Sequence, residues 1–337
     1  MKLSNAITNT RSAVEHNINN AAGTNSSYVV PMWWSLPGEG KTTAIEDLGK
    51  DMNLEVRSVI AATYDAGEFA GFPIMSNGEY TRAKPTWFPT EGKGILFFDE
   101  LPQAPVALQN LIARVVNERA LGEFKLGDGW SVVCAGNPQA AKAGTQAMPS
   151  HLKDRLMHLK LETDVEGVRE YALASGWLPE ITTFLEERPE WLQKFDPKQD
   201  ASPSPRSWER VNTILGLNLP KEEEMYAIQG MIGEGAVADF VGYLRIWQDM
   251  PRVKDVLAQA ATHAIPKDAA IMYALCSSMA HHANKSNIKD ILTFVKRFEN
   301  KEFAVFCMTD TLKRFPELKK ETVVTQWFMS DGKELML

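Results

Sequence analysis

The stretch Ser35-Leu36-Pro37-Gly38-Glu39-Gly40-Lys41-Thr42-Thr43 decides how this chain is read. It follows a short apolar run, Tyr28–Trp34 (YVVPMWW), and opens a segment with helical spacing, Thr42–Met52. Strand, glycine-rich loop, Lys-Thr and helix in that order form a phosphate-binding loop. The glycines let the backbone curl so that its N–H groups face the β- and γ-phosphates. Lys41 sets a positive charge on them, Thr42 offers a hydroxyl to Mg²⁺, and the N-terminus of the next helix adds a favourable dipole. Ser35 stands where the usual pattern has its first glycine, and a positive φ there would strain a serine.

Working outward, the first half of the chain alternates between strand and helix patterns. Asn5–Asn19 has helical spacing. Leu54–Ala61 reads as a second strand, Ile95–Phe98 as a third, Ser131–Ala135 as a fourth and Leu156–Leu161 as a fifth. Continuous apolar strands separated by helices predict an α/β fold, a parallel sheet covered on both faces. Two stretches interrupt the rhythm. Residues 64–93 are too long for a plain connector. Residues 120–130 (ALGEFKLGDGW) read as a β-hairpin, with Gly127-Asp128-Gly129 as its turn chemistry. After about Thr163 the strand signal fades. Helices are expected over 164–175, 179–187, 205–215, 222–230, 236–248, 268–283 and 288–298, with Gly230-x-x-Gly233-x-Gly235 as a helix–helix turn.

Chemistry gathers where predicted strands end. Ile95-Leu96-Phe97-Phe98 runs into Asp99-Glu100 at the carboxyl end of a buried strand, where ligands bind in open α/β sheets. Asp99 can hold the Mg²⁺ shell, and Glu100 can polarise the water that attacks the γ-phosphate. Val132-Val133-Cys134-Ala135-Gly136 ends in Asn137, held extended by Pro138, whose amide can reach both the γ-phosphate and the water. Two arginines complete the set: Arg155 in His151-Leu152-Lys153-Asp154-Arg155-Leu156, and Arg206 in Ser204-Pro205-Arg206-Ser207-Trp208.

Composition bounds the alternatives. The chain has 337 residues, 44% hydrophobic and 23% charged, which is globular and long enough for about two domains. Its net charge of −7 argues against a wholly basic nucleic-acid binder. Cys134, Cys276 and Cys307 are far apart and lack zinc spacing. They are read as reduced thiols in a reducing compartment, the first in a strand and the others in helices. With no secretory pattern at the N-terminus and only strand-sized apolar runs, the expected location is cytoplasmic. Trp33, Trp34 and Trp208 are read as core residues rather than adenine contacts. Phe69-Ala70-Gly71-Phe72 fits either a segment that projects outward from the fold, or one packed on its own sheet.

In this order, the motifs resemble those of the AAA+ ATPases of the MoxR group. SLPGEGKTT resembles Walker A, ILFFDE Walker B, AGNP sensor 1, HLKDRL the arginine-finger segment and SPRSWERV sensor 2. The resemblance covers about residues 5–330. It implies a P-loop NTPase core over 1–162, with a helix-2 insert near 64–93 and a pre-sensor-1 hairpin near 120–130. A helical lid over 163–300 and a helical extension over 301–337 would follow. It also implies ATP and Mg²⁺ as cofactors, with Thr42 and Asp99 as metal ligands. The nucleotide would be held by Pro37, Gly38, Glu39, Gly40, Lys41, Thr42, Thr43, Asp99 and Arg206. Glu100, Asn137, Lys41, Arg206 and, in trans, Arg155 would be catalytic. Members are usually ring hexamers that remodel a protein client, here a separate von Willebrand A domain protein. A nucleic-acid-stimulated motor and a nucleotide-gated scaffold with little turnover are the competing expectations.

Overall fold

The computed structural model describes residues 1–19, 28–76, 78–138, 146–248 and 250–329. Its strands are β1 (Val30–Trp34), β2 (Glu55–Ile60), β3 (Pro73–Ser76), β4 (Glu79–Arg82), β5 (Lys93–Asp99), β6 (Ala120–Leu121), β7 (Phe124–Lys125), β8 (Gly129–Gly136) and β9 (Leu156–Lys160). The first half also holds α1 (Leu3–Asn19), α2 (Lys41–Asp51), α3 (Ala66–Ala70), α4 (Val106–Glu118) and α5 (Ser150–Lys153). The helices that follow are α6 (Val165–Ala174), α7 (Pro179–Glu187), α8 (Pro205–Leu215), α9 (Lys221–Gln248), α10 (Val253–Ala258), α11 (Ala269–His281), α12 (Ile288–Val295), α13 (Lys301–Arg314) and α14 (Thr322–Met329).

Five strands form one sheet in the order β2-β5-β8-β1-β9, and every pairing is parallel. The fold is therefore the expected α/β one, and its period-2 alternation explains both buried faces. Val30, Met32, Leu96, Phe98, Val132 and Cys134 point to one side, where α4 packs with Leu108 and Ile112. Trp33, Ile95, Phe97, Val133 and Ala135 point to the other, where Ala6 and Val14 of α1 and Ile45 of α2 cover them. Trp33 is fully buried, and its indole N–H donates to Thr10 Oγ1 at 2.8 Å, so the ring leaves no polar atom unpaired in the core. Trp34 is half-buried and stacks on His158.

The two interruptions take definite form. Within 64–93, Phe69 is fully buried against Trp87 and Phe98, whereas Phe72 is 59% exposed at the foot of the β3–β4 ribbon. The Phe69–Phe72 quartet is thus split between packing and solvent. In 120–130 the hairpin is shorter than expected. β6 and β7 pair Leu121 with Phe124, so the turn falls at Gly122-Glu123 and not at Gly127-Asp128-Gly129. The Gly-Asp-Gly segment instead leads into β8. There Trp130 N–H closes a turn on the Gly127 carbonyl, and that carbonyl also accepts from Arg119 Nη2.

Contacts divide the chain into two compact units, residues 1–168 with 193–207, and residues 169–192 with 208–337. The second unit is helical. The helix–helix turn expected near Gly230–Gly235 is present: two helical segments of α9 meet at a kink at Gly233, whose backbone is non-helical (φ 80°, ψ 167°). Trp208 is fully buried there against Phe184 and Phe240, and Cys276 and Cys307 lie in the core formed by α11–α14. All three cysteines are free and buried, one in a strand and two in helices. Among the described residues, no helix is long and apolar enough to cross a membrane.

Burial pushes the Glu187 carboxyl of α7 from its ordinary 4.5 up to about 7, against the pull of Arg188. Its folded value lies above its unfolded one. The stability it contributes is complete below about pH 4.5 and is lost as pH rises through about 7. Urea unfolding of Glu187→Gln is therefore expected to show a shallower decline in stability between these limits than the parent chain. Superimposable profiles would show that Glu187 titrates as if in water.

Candidate functional site

The sheet order brings the sequence-predicted residues together. β1 is separated from β5 by β8, and the three strands end level, with Trp34 opposite Gly136 and Phe98 opposite Cys134. The residues at or just after those ends, Ser35, Asn137 and Asp99-Glu100, meet at one carboxyl edge. This is the crevice where open α/β sheets bind ligands.

Lys41, at the first turn of α2, is only 9% exposed. Its Nζ donates to Ser35 Oγ and Asn137 Oδ1 at 3.0 Å, and to the carbonyl oxygens of Ser35 and Leu36 at 3.2 Å. Burial pushes its ammonium below the ordinary value. The carboxylates of Asp99 and Glu39 oppose this, and the Arg206 charge adds a smaller push downward. All four oxygens touching Nζ are neutral, so the cup satisfies the donors without cancelling the charge. A phosphate oxygen would add an opposite charge that none of these acceptors offers.

Ser35 is no defect in this loop. Its φ is not positive, so the serine escapes the strain expected from replacing a glycine, and its hydroxyl gives Lys41 one more acceptor. The loop's left-handed turns fall at Gly38 (φ 83°) and Gly40 (φ 75°), the second capping α2. Thr43 continues α2 beyond Lys41 and Thr42.

Thr42 Oγ1 donates to Asp99 Oδ2 at 2.6 Å, while Asp99 Oδ1 accepts from the Glu100 backbone N–H at 2.8 Å. A hydroxyl beside a carboxylate is a hard-oxygen donor pair suited to Mg²⁺, which binds one or two carboxylates and takes its remaining oxygens from water and substrate phosphates. Among the described residues no group of three or more His, Cys, Asp or Glu could hold a metal, so a dedicated protein cage of those residues is not what these donors build. Glu100 is exposed and adopts a left-handed backbone (φ 54°, ψ 29°). For a non-glycine residue that costs about 1–2 kcal/mol, a strain typical of functional positions.

Arg206 reaches the loop through its backbone, donating its N–H to the Gly38 carbonyl at 3.2 Å. Ser204, two residues before it, packs so tightly that a Cβ on Gly38 would lie 2.7 Å from its hydroxyl oxygen. Three partners of the loop escaped the sequence reading. Gln193 Nε2 donates to the Pro37 carbonyl at 3.4 Å, Thr163 Oγ1 donates to Glu39 Oε1, and Ser204 closes over Gly38. Only Ser204 lay in a quoted motif. The other two carry no signature of spacing.

Arg155 stands apart from this group. It precedes β9, whose first residue, Leu156, pairs with Val30 at the start of β1, whereas the loop follows the end of β1. Four strand steps, about 13 Å, separate the two levels. Arg155 is exposed, and it donates Nε to Asn117 Oδ1 at 2.8 Å and Nη1 to the His151 carbonyl.

No family model and no curated protein matches the chain. Among solved structures it is similar to a point mutant of RuvB from Thermotoga maritima, with 13% identity over 83% of this chain and 82% of that one, at a TM-score of 0.42. RuvB of that organism is described as a Holliday junction branch migration motor, and that structure matches at 12% identity over 84% of each chain, TM-score 0.38. NtrX from Brucella abortus in complex with ATP matches at 14% identity over 93% of this chain and 62% of that chain, TM-score 0.36.

The loop geometry separates two glycines. Gly40→Ala meets nothing within 4 Å and carries backbone strain alone, about 1–2 kcal/mol. Gly38→Ala carries the same strain and also collides with Ser204. Urea unfolding is expected to show the larger loss for Gly38→Ala. Equal losses would mean that Ser204 yields freely.

Proposed function

We propose that this chain is a Mg²⁺-dependent ATPase of the AAA+ type that assembles into a ring and remodels a protein partner. One observation carries the reading: a buried lysine, a Thr–Asp oxygen pair, a strained glutamate and an asparagine amide converge at the carboxyl ends of three adjacent parallel strands. Each supplies one part that phosphoryl transfer to water requires.

The backbone from Pro37 to Thr43 cradles the phosphates, and Lys41 exchanges its neutral acceptors for phosphate oxygens. Thr42 and Asp99 would hold Mg²⁺, which would supply charge neutralisation to the triphosphate. Asn137 orients the water and the γ-phosphate. Glu100 accepts the water's proton as the oxygen bonds to phosphorus and the bond to the β–γ bridging oxygen breaks, leaving ADP and phosphate. Arg206, tied to Gly38 through its backbone, presents a second cation to the same triphosphate.

Arg155 lies at the opposite edge of the sheet from its own loop, so its charge is available to another copy's phosphate. A subunit that offers a cation on one face and a nucleotide on the other associates head to tail, and such an interface closes into a ring when the rotation permits. We read the ring as a hexamer. An arginine finger of this kind is worth about 10³–10⁵ in rate, because it meets charge that develops in the transition state. The order of the AGNP, HLKDRL and SPRSWERV segments supports the MoxR group within AAA+. With it comes a separate protein client, of which a von Willebrand A domain protein is the expected example. A nucleic-acid-stimulated motor is the second reading, and the acidic net charge of −7 weighs against it.

Two experiments test the proposal. Glu100→Gln is expected to abolish phosphate release while ATP binding persists, and wild-type turnover by that variant would contradict the assignment. Subunits carrying Arg155→Ala and subunits carrying Lys41→Ala are each expected to be inactive and to regain activity when mixed. Failure to regain it at any ratio would argue against a finger acting in trans.

A further inference from the structure

Resting on the reading of Arg155 as the finger, we propose that Asn117 is its positioning residue, holding the guanidinium oriented and uncancelled for the neighbouring copy's phosphate. α4 starts just beyond the carboxyl end of β5 and runs back toward the amino edge of the sheet, so its last turn delivers Asn117 to the place where Arg155 emerges. The amide oxygen of Asn117 takes Nε at 2.8 Å and the His151 carbonyl takes Nη1. Two fixed contacts on a planar fork set its orientation. No hydrogen bond to Nη2 occurs among the described residues, and the side chain is exposed, so this nitrogen is free to donate outward.

Both partners are neutral. An aspartate at the same place would orient the fork equally well but would cancel the charge that a γ-phosphate must meet. Glu118, which follows Asn117 in the sequence, is paired with Arg114 at 3.1 Å across one helical turn. Arg155 itself joins no ion pair among the described residues.

The platform under these contacts is rigid. Leu152 is fully buried beneath α5, and the Arg155 backbone N–H donates to its carbonyl at 3.1 Å. His158 locks the same turn from the sheet. Its Nδ1 accepts from Trp34 Nε1 at 2.8 Å, so Nε2 carries the proton and donates to the Lys153 carbonyl at 2.9 Å. A finger held this way gives up little rotamer freedom when it meets its target.

The test is a double-mutant cycle on the full-length assembly with ATP as substrate, using Asn117→Ala, Asn117→Asp, Arg155→Ala and the Asn117→Ala/Arg155→Ala pair. Asn117→Ala is expected to lower kcat about 10- to 100-fold with KM changed less than about twofold. The double variant is expected to match Arg155→Ala alone. Asn117→Asp, which is isosteric and keeps the fold, is expected to be slow at low salt. It should recover as ionic strength rises from about 20 to about 300 mM, because an exposed ion pair is screened. Wild-type kcat in Asn117→Ala, or an equal further loss when it is added to Arg155→Ala, overturns the inference. Absence of salt-dependent recovery in Asn117→Asp overturns it as well. If Arg155→Ala is itself unimpaired, the finger reading falls too. If Arg155→Ala is slow and Asn117→Ala is not, only the present inference falls.

Discussion

A positive charge nine-tenths out of water is the constraint around which the first unit is organised. Lys41 is held at the edge of the sheet by oxygens from the end of β1 and from the residue after β8. An ammonium so placed is costly unless every proton finds an acceptor, and those acceptors must come from segments far apart in the chain. The parallel sheet meets that demand. With β8 set between β1 and β5 and all three strands running the same way, their ends deliver a serine, an asparagine and an aspartate to one locus. No single local motif could do so. The strain at Glu100 belongs to the same arrangement. The left-handed residue lets the chain turn from β5 into the short helical turn at 101–103, while Asp99 caps its N–H.

Much of this was legible from the residues because the relevant signals are local. Strand, glycine loop, lysine and helix are contiguous, so Lys41 and Thr42 could be placed from spacing alone. Asp99 and Asn137 each sit at the end of an unbroken apolar run, where a parallel strand must stop. The misplaced features share a cause. Gly127-Asp128-Gly129 carries turn chemistry, yet two turns compete there. The tighter pairing of Leu121 with Phe124 takes the hairpin, and the Gly-Asp-Gly turn serves the entrance to β8. At Ser35 the pattern places a glycine, and only a positive φ there would strain a serine. The backbone puts the left-handed turns elsewhere and uses the serine's oxygen.

The contacts that sequence did not reveal join segments with no shared periodicity: Glu39 with Thr163, Pro37 with Gln193, Asn117 with Arg155. Each is one polar pair whose members look like ordinary surface residues when read singly. In the helical unit the same holds for Asp310, 1% exposed, whose two oxygens take Arg169 of α6 and Arg314 of α13. Arg169 also pairs with Glu186, so the buried carboxylate and its arginines answer one another in a network rather than as a single pair.

The tight fit of Ser204 on Gly38 has a consequence for how the protein comes into being. The phosphate loop is encoded early, but the segment that closes over it is synthesised only after the strands, α6 and α7. A chain emerging from the ribosome can therefore pair its five strands before residues 193–207 exist to finish the loop. Bringing that segment back to the loop is a contact of high sequence separation, which costs more chain entropy than a local one. The loop is then finished after the sheet, and its final geometry is expected to lag behind pairing of the five strands.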